Sequence, residues 1–243
     1  MVPISAGAAD GASAPARAAP PLMRQANPAP GHYVTEGGWG HLDVKPAAGG
    51  VAFSIETVGA NLHTCSLEGT IRNGVAEVKG DAADPACRVR FKPSPRAVDV
   101  ESDDATDEAC HGFCGARASF PGTYLVEPPE CSAAARKRVD ADFQRLYKAG
   151  SYDAARAQLA PMLSACGRLL DRWSDSRLRN DLAVTLFHLH RAEECRGVLA
   201  GLLADYPHTE AELREGLPPG DFDTMLPELR ATWHNAKLCG AKL

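Results

Sequence analysis

The sequence predicts an α+β protein in which a small antiparallel β-barrel or sandwich precedes an all-α domain of helical hairpins. Residues 31–127 alternate apolar and polar side chains with a period of two, which indicates strands with one face on a core. Residues 131–243 carry apolar side chains at helical spacing. The 8 cysteines are divided equally between the two parts, as expected if each part forms its own disulfides.

Residues 1–30 are rich in alanine, proline, glycine and serine, and they contain too little apolar mass to fold. We therefore expect a disordered tether. The segment lacks the basic start and apolar run of a signal peptide. Because the predicted disulfides require export, we expect a signal or lipoprotein leader to have been trimmed, or translation to start upstream of Met1. A lipid tether is compatible with this interpretation.

The strands are predicted from alternating runs separated by glycines and prolines. The clearest alternation covers 51–56 and 87–92. Asn73-Gly74 lies between two further runs and suits a type I′ hairpin, in which both central residues need positive φ. About seven short strands with near-neighbour connections predict a meander closed into a small barrel or sandwich. The other predicted strands are 42–44, 63–71, 75–78 and 98–100.

The helices are predicted to begin after Pro128-Pro129. Ser132 can cap a first helix that ends at Gly150, a residue suited to the left-handed position after a helix. Pro161 is expected to kink the second helix. Three further helices are centred on the apolar runs 178–189, 198–203 and 223–238.

The helical part contains an internal repeat with an offset of about 40 residues. Leu146-Tyr147 corresponds to Leu186-Phe187, and 159–163 corresponds to 199–203. Residues 148–155 resemble the turn between the two helices of a tetratricopeptide repeat. That family has a period of about 34 residues, so this part of about 110 residues is tetratricopeptide-like rather than a regular repeat array.

The layout of the helices predicts two disulfides. Cys131 precedes the first helix and Cys166 ends the second, so an antiparallel pair brings them together, and Cys195 and Cys239 are related in the same way. In the sheet part we favour Cys65 with Cys87 and Cys110 with Cys114, although exchanged partners remain open. Paired cysteines indicate an oxidising, periplasmic or other extracytoplasmic location, and eight reduced thiols in the cytosol are the alternative.

Charge and composition argue against several functions. The net charge of -5 and the lack of a basic cluster argue against nucleic acid as a partner. No apolar run is long enough for a transmembrane segment. The chain has no recognised catalytic signature, so we predict a non-enzymatic protein without a cofactor. A metal site or a nucleophile built from His63, His111 and their neighbouring cysteines is a weak alternative, because oxidised thiols do not bind metal ions.

The segment 110–120 is the most unusual of the chain. A Cys110–Cys114 bond would form a small rigid loop that displays His111, Phe113 and Arg117, and we predict that these residues bind a protein partner. The alternative is a disulfide staple that closes the barrel, with Arg117 paired to the acidic run 103–108.

The helical part offers a second candidate surface. Its residues lie near the start and side of the third helix, where repeat proteins often bind partners. Asn180 and Asp181 could instead orient the neighbouring hairpin, which is the more ordinary role for such residues. The candidates are Arg177, Asn180, Asp181 and His188.

The runs 53–65, 87–91 and 110–124 resemble exported bacterial proteins grouped with the periplasmic lysozyme inhibitors, and the likeness continues through 179–183. The resemblance implies a small barrel that binds a cell-wall hydrolase or toxin in the envelope, as an inhibitor or immunity protein. The serine- and tyrosine-bearing loop of the best-known membrane-bound inhibitors is missing, so no inhibitory contact is carried over to this chain. The alternative is a periplasmic scaffold whose helical repeats hold a protein partner.

Overall fold

The computed structural model describes residues 26–80 and 85–241, and it confirms the α+β class with the strands first. The strands are β1 (Gly31–Thr35), β2 (Gly40–Ala47), β3 (Gly50–Val58), β4 (Thr64–Ile71), β5 (Val75–Val78), β6 (Cys87–Pro93), β7 (Ala97–Ser102) and β8 (Gly122–Val126). The helices are α1 (Asp107–His111), α2 (Ala133–Lys148), α3 (Tyr152–Cys166), α4 (Arg172–His188), α5 (Ala192–Asp205), α6 (Glu210–Gly216) and α7 (Pro219–Leu238).

The eight strands form a nearly closed antiparallel meander, as the sequence predicted. The sheet order is β4-β3-β2-β1-β8-β7-β6-β5, so β1 pairs with β8 and the two end strands, β4 and β5, are consecutive in the chain. Among the described residues, these ends share one backbone bridge, Arg72–Val75, where Asn73 has φ 52° and Gly74 has φ 75°. The predicted type I′ turn is therefore confirmed, and an open seam begins beyond it.

Alternating side chains fill the inside of the barrel. Phe53 and Phe91 meet edge to face with ring centroids 4.9 Å apart, and the buried Tyr124 hydroxyl donates to the Phe120 carbonyl at 2.7 Å. Burial in this core raises the pKa of Tyr124. The core is thus continuous around the meander, from β2 and β3 across to β6 and β8.

All eight cysteines form disulfides, which fits an oxidising, extracytoplasmic environment. The predicted bonds Cys131–Cys166 and Cys195–Cys239 are confirmed. The favoured sheet pairings were wrong, because the bonds are Cys65–Cys114 and Cys87–Cys110. Cys65 on β4 and Cys87 on β6 lie on opposite sides of the seam, and the segment 110–115 lies between them.

The helical part begins with two successive hairpins, α2–α3 and α4–α5. The Ser132 hydroxyl accepts from the Ala135 N–H at 3.3 Å, and Gly150 follows α2 with φ 70°, as predicted. His190 has φ 58° and closes α4 with the same pair of backbone hydrogen bonds, 40 residues later. The repeat therefore extends to the turn geometry.

Helix α3 continues through Pro161, and α6 was not predicted.

The barrel and the helices are packed together. Val34 from β1 is fully buried against Met162, Leu169 and the Cys131–Cys166 bond. The β1–β2 turn reaches the helical part, where the Gly37 N–H donates to the Arg168 carbonyl at 2.8 Å. At a second junction, the turn at residues 60–62, the Asn61 N–H donates to the Asp221 carboxylate at 3.0 Å. Two separate contacts therefore hold the barrel against the helical part.

Most of the predicted tether, residues 1–25, lies outside the described residues. Its last part, 26–30, was expected to be disordered but is attached to the barrel. Asn27 accepts a hydrogen bond from the Gly74 N–H at 3.0 Å, and Ala29 accepts one from the Tyr33 hydroxyl at 2.7 Å. Residues 26–30 thus contact the barrel, and β1 itself begins at Gly31.

Candidate partner-binding surface

The segment predicted to bind a partner closes the seam of the barrel. The Ser66 N–H donates to the Phe113 carbonyl at 3.1 Å, and the Gly115 N–H donates to the Thr64 carbonyl at 2.8 Å, so the segment pairs with the free edge of β4. The bonds to Cys65 and Cys87 fasten it on both sides. This geometry agrees with the staple alternative, and the loop is anchored to two strands rather than closed on itself.

The three predicted binding residues differ in exposure. The side chain of His111 is 71% exposed and lies 3.4 Å from the Asp107 carboxylate. Phe113 is half-buried and packs against the barrel core, so its ring is not free to act as an anchor. Arg117 is exposed. Within the described residues, Asp103 of the acidic run pairs with Arg90 rather than with Arg117.

Arg117 lies beside the turn that joins the barrel to α7. A Cβ built on Gly59 would be 2.0 Å from the Arg117 carbonyl oxygen and 2.7 Å from the Ala118 Cα. Only glycine allows this close approach of two backbones. Gly59 also lines a large cleft between the barrel and the helices. The exposed Arg117 is therefore next to the rim of that cleft, whereas His111 belongs to α1, which packs on β6.

The cleft has a volume of about 1310 Å³ and lies between the β1–β2 turn, the turn at residues 60–62, and helices α4 to α7. Three of the five large apolar side chains that are exposed in the described part line it: Val58 (50% exposed), Leu62 (53%) and Trp173 (39%). Large exposed apolar groups that share one concavity indicate a binding surface, because water solvates them poorly.

The charged groups of the cleft are mixed in sign. Asp171 caps α4 by accepting from the Ser174 N–H at 2.9 Å, and Asp175 accepts from Arg179 Nε at 2.7 Å. The second carboxylate oxygen of Asp175 is buried and has no hydrogen-bond partner among the residues that the structure describes. Burial is also the main cause that raises the pKa of Tyr206 on the same wall. A ligand with both polar and apolar groups suits such a lining.

A smaller groove of about 280 Å³ adjoins the cleft between α2, α3 and α4. Leu170 and Trp173 line both cavities, so the two are neighbours. On α4, Arg177 donates to Asp140 of α2 at 3.0 Å. Burial, opposed by the Arg177 guanidinium, raises the pKa of Asp181 to about 7.

The four candidate residues of the helical part do not form one site. Arg177 and Asp181 line the groove. Asn180 is buried and donates to the Thr232 hydroxyl at 3.0 Å, so it holds α4 to α7, in line with the structural alternative. His188 lies at the far end of α4, where it stacks on Tyr152 at 4.3 Å and meets the Tyr147 hydroxyl at 3.0 Å.

A polar cluster between the two parts was not predicted from the sequence. His32 Nδ1 is 2.9 Å from the Asp43 carboxylate, and His41 Nδ1 is 3.4 Å from His32 Nε2. The Glu127 carboxylate is buried, which raises its pKa, and lies 3.8 Å from Arg136. The register of β1 on β2 pairs His32 with Asp43, and the N–H of Glu127, just after β8, donates to the His32 carbonyl at 3.0 Å. The sequence gives no signal for either placement.

The described residues contain no group of three or more histidine, cysteine, aspartate or glutamate side chains placed to hold a metal ion. Cys65, Cys110 and Cys114, which the weak metal interpretation required, are all in disulfides. Among the described helices, none combines the length and apolar character needed to cross a bilayer. The cleft and the groove offer exposed apolar side chains together with charged groups of both signs.

No family model, curated protein or solved structure matches this chain.

Proposed function

We propose that this protein is a non-enzymatic binding protein of the periplasm that inhibits, or gives immunity against, a peptidoglycan-cleaving enzyme or toxin. The observation that carries the proposal is the grouping of three exposed apolar side chains in one cleft between two joined domains. The four disulfides support a location outside the cytoplasm. The resemblance of the sheet part to lysozyme inhibitors supports the kind of partner.

We expect the partner to enter the cleft rather than to meet the tip of the 110–115 segment. Val58 and Leu62 supply apolar contact, and Arg117, whose backbone lies against Gly59 at the rim, supplies an exposed cation. Enzymes that cleave glycosidic bonds carry paired catalytic carboxylates in their active-site clefts. A guanidinium is complementary to a carboxylate, so Arg117 is the residue of the predicted loop that best fits an inhibitory contact.

The test is inhibition of peptidoglycan hydrolysis by a panel of lysozymes and envelope hydrolases. We expect the wild-type protein to inhibit at least one of them. Val58→Asp is expected to weaken inhibition about 10-fold or more, because a buried valine side chain contributes about 1.5–3 kcal/mol. Arg117→Ala is expected to weaken it as well, and His111→Ala is expected to leave it unchanged.

Val126→Asp is the matched control. Val126 is 46% exposed and Val58 is 50% exposed, both lie at strand ends, and both backbone N–H groups donate to carbonyls, but only Val58 lines the cleft. Equal inhibition by these two variants would exclude the cleft as the binding site. A wild-type protein that leaves every enzyme in the panel fully active and binds none of them would refute the proposed function.

A second candidate function is that of a periplasmic scaffold that holds a protein partner on its helical hairpins. The groove between α2, α3 and α4 favours it, because helical repeats commonly bind partners on such a face. Under this alternative, partner binding would survive Val58→Asp and Arg117→Ala. Under inhibition through the cleft, both substitutions would weaken it.

A further inference from the structure

Two histidines meet on the face of the barrel that the helical part covers. His32 on β1 and His41 on β2 share this outer face with Val34, which is buried against the helical part. The two imidazole rings are stacked, with their centroids 5.4 Å apart. His41 also lines the cleft. The histidine pair therefore lies between the domain junction and the proposed binding site.

The hydrogen bonds of the pair form a chain that begins at Asp43. His32 Nδ1 is 2.9 Å from the Asp43 carboxylate, which only accepts, so this nitrogen carries a hydrogen. The other ring nitrogen of His32, Nε2, lies 3.4 Å from His41 Nδ1. When His32 is neutral its Nε2 accepts, so His41 Nδ1 carries the hydrogen between the rings. Two neutral rings thus satisfy every contact of the chain.

The chain accommodates one added proton but not two. A first proton fits on His32, which then donates to both Asp43 and His41, while the hydrogen of His41 moves to Nε2. A second proton places an N–H group on each side of the 3.4 Å contact between the rings, so neither nitrogen accepts. Two like charges then lie in stacked rings, and the contact between them no longer holds.

The cations around His41 also oppose a second proton. Burial is the largest cause that lowers the pKa of His41, and the charges of His32 and of Arg136 on α2 lower it further. Glu127, which follows β8, lies 3.8 Å from His32 Nε2 and 3.8 Å from the Arg136 guanidinium. Burial raises the pKa of Glu127, so this carboxylate loses its charge at a higher pH than an exposed glutamate. It then no longer offsets the cations.

Two carboxylates attract a proton to His41, those of Asp171 and Asp43, and both are already engaged. At the start of α4, Asp171 accepts from the Ser174 N–H at 2.9 Å and from the Ser174 hydroxyl at 2.6 Å. Asp43 accepts from His32. Because Asp171 also lines the cleft, a protonated His41 that leaves His32 is attracted toward the cleft wall.

We propose that the Asp43–His32–His41 chain is a proton-operated contact, in which the second proton separates the two rings and turns His41 into the cleft. At neutral pH the ring of His41 stays on the barrel face. In acid the cleft gains a charged ring, and covering that charge with a partner costs free energy. Partner binding should therefore weaken as the pH falls. This last step rests on the proposed function, whereas the separation of the rings does not.

The test is an NMR titration of the full-length protein, with isotope-labelled histidine, from about pH 8 to about pH 4.5. Ring nitrogen shifts report which nitrogen carries hydrogen, and cross-relaxation between ring protons reports the stacking. At the upper pH we expect Nδ1–H on both His32 and His41 and cross-relaxation between them. As His41 takes up its proton, the cross-relaxation should disappear.

Two matched variants test the coupling between the rings. In His32→Asn, His41 should take up its proton at a higher pH than in the wild type, because one facing cation is gone. His111→Asn is the control, because His111 is an exposed histidine on α1 that pairs with Asp107. It should leave the titration of His41 unchanged.

A neutral His41 with its hydrogen on Nε2, or cross-relaxation that persists after both rings are protonated, would overturn the proposal. So would an unchanged titration of His41 in His32→Asn. The titration contains no hydrolase, so its result is independent of the inhibition assay. A protein whose rings separate in acid but that inhibits no enzyme retains the proton-operated contact and loses the proposed function.

An inhibited enzyme allows the pH dependence of binding to be measured. His41→Asn serves as the reference, because the enzyme's own pH dependence cancels in the ratio of the two affinities. We expect the affinity of the wild type relative to His41→Asn to fall about 3-fold or more between pH 7.5 and pH 5.5. A constant ratio would contradict regulation of the cleft by this contact.

Discussion

One of the two junctions between the barrel and the helical part requires a glycine at position 38, and replacing Gly38 gives the sharpest structural prediction. Gly38 has φ 61°, and a Cβ on it would lie 2.3 Å from the Asp171 backbone nitrogen and 2.6 Å from the Leu170 carbonyl carbon. These are backbone atoms, so no side-chain rotation relieves the clash. Gly38→Ala must therefore push the β1–β2 turn away from the helical part.

The neighbouring Gly37 provides a matched control. Its φ is 76°, but a Cβ there would meet only Trp39, at 3.9 Å. Gly37→Ala should cost about 1–2 kcal/mol for the left-handed backbone alone. Gly38→Ala carries the same cost and also loosens the burial of Val34, worth about 1.5–3 kcal/mol, and the Gly37–Arg168 hydrogen bond, worth about 1 kcal/mol.

We expect the free energy of unfolding to fall by about 4 kcal/mol or more in Gly38→Ala and by no more than about 2 kcal/mol in Gly37→Ala. Urea unfolding of both variants measures the difference, and small-angle X-ray scattering should show a larger radius of gyration only for Gly38→Ala. Equal destabilisation of the two variants would show that the close contact with Asp171 does not exist in solution.

Two further predictions concern cross-links and turns. Removing the Cys65–Cys114 bond, whose residues are 49 apart, should lower the free energy of unfolding by about 4 kcal/mol, and removing Cys87–Cys110, 23 apart, by about 3 kcal/mol, when both partners are changed to alanine. Free thiols in either double variant would contradict the pairing. His190→Gly should raise the free energy of unfolding by about 1 kcal/mol, because glycine adopts the positive φ after α4 without strain, whereas Gly150→Ala should lower it by a similar amount. Thermal unfolding distinguishes these signs, and destabilisation by His190→Gly would be evidence against the turn geometry.

Local patterns were sufficient for much of the fold. Asn73-Gly74 predicted its turn because few residue pairs adopt two positive φ values, and Ser132 and Gly150 marked both ends of α2 for similar local reasons. The disulfides of the helical part followed from helix ends that an antiparallel pair brings together. Periodicity also predicted the order of the two parts, with the strands before the long helices.

The errors have a common physical origin in long-range placement. Alternation correctly put Cys65 and Cys87 on inward faces, but it does not say that a seam separates β4 from the strands beyond it. The same lack of long-range information explains the error at Phe113. We predicted that its side chain is displayed to a partner, whereas the ring packs against the barrel core. His190 gave no sign that it occupies the position of Gly150, because histidine rarely adopts positive φ. The cleft requires two domains at a fixed distance, and no local pattern encodes that distance.

The proposed binding cleft depends on a cross-linked molecule in an oxidising compartment, and the thiols of the protein isolated from the cells that make it test this directly. Alkylation without reduction, followed by digestion and mass spectrometry, should find no free thiol and four cross-linked peptide pairs, including Cys65 with Cys114 and Cys87 with Cys110. Alkylation of most of the eight cysteines in that unreduced protein would contradict the location, the closed seam and the binding surface together.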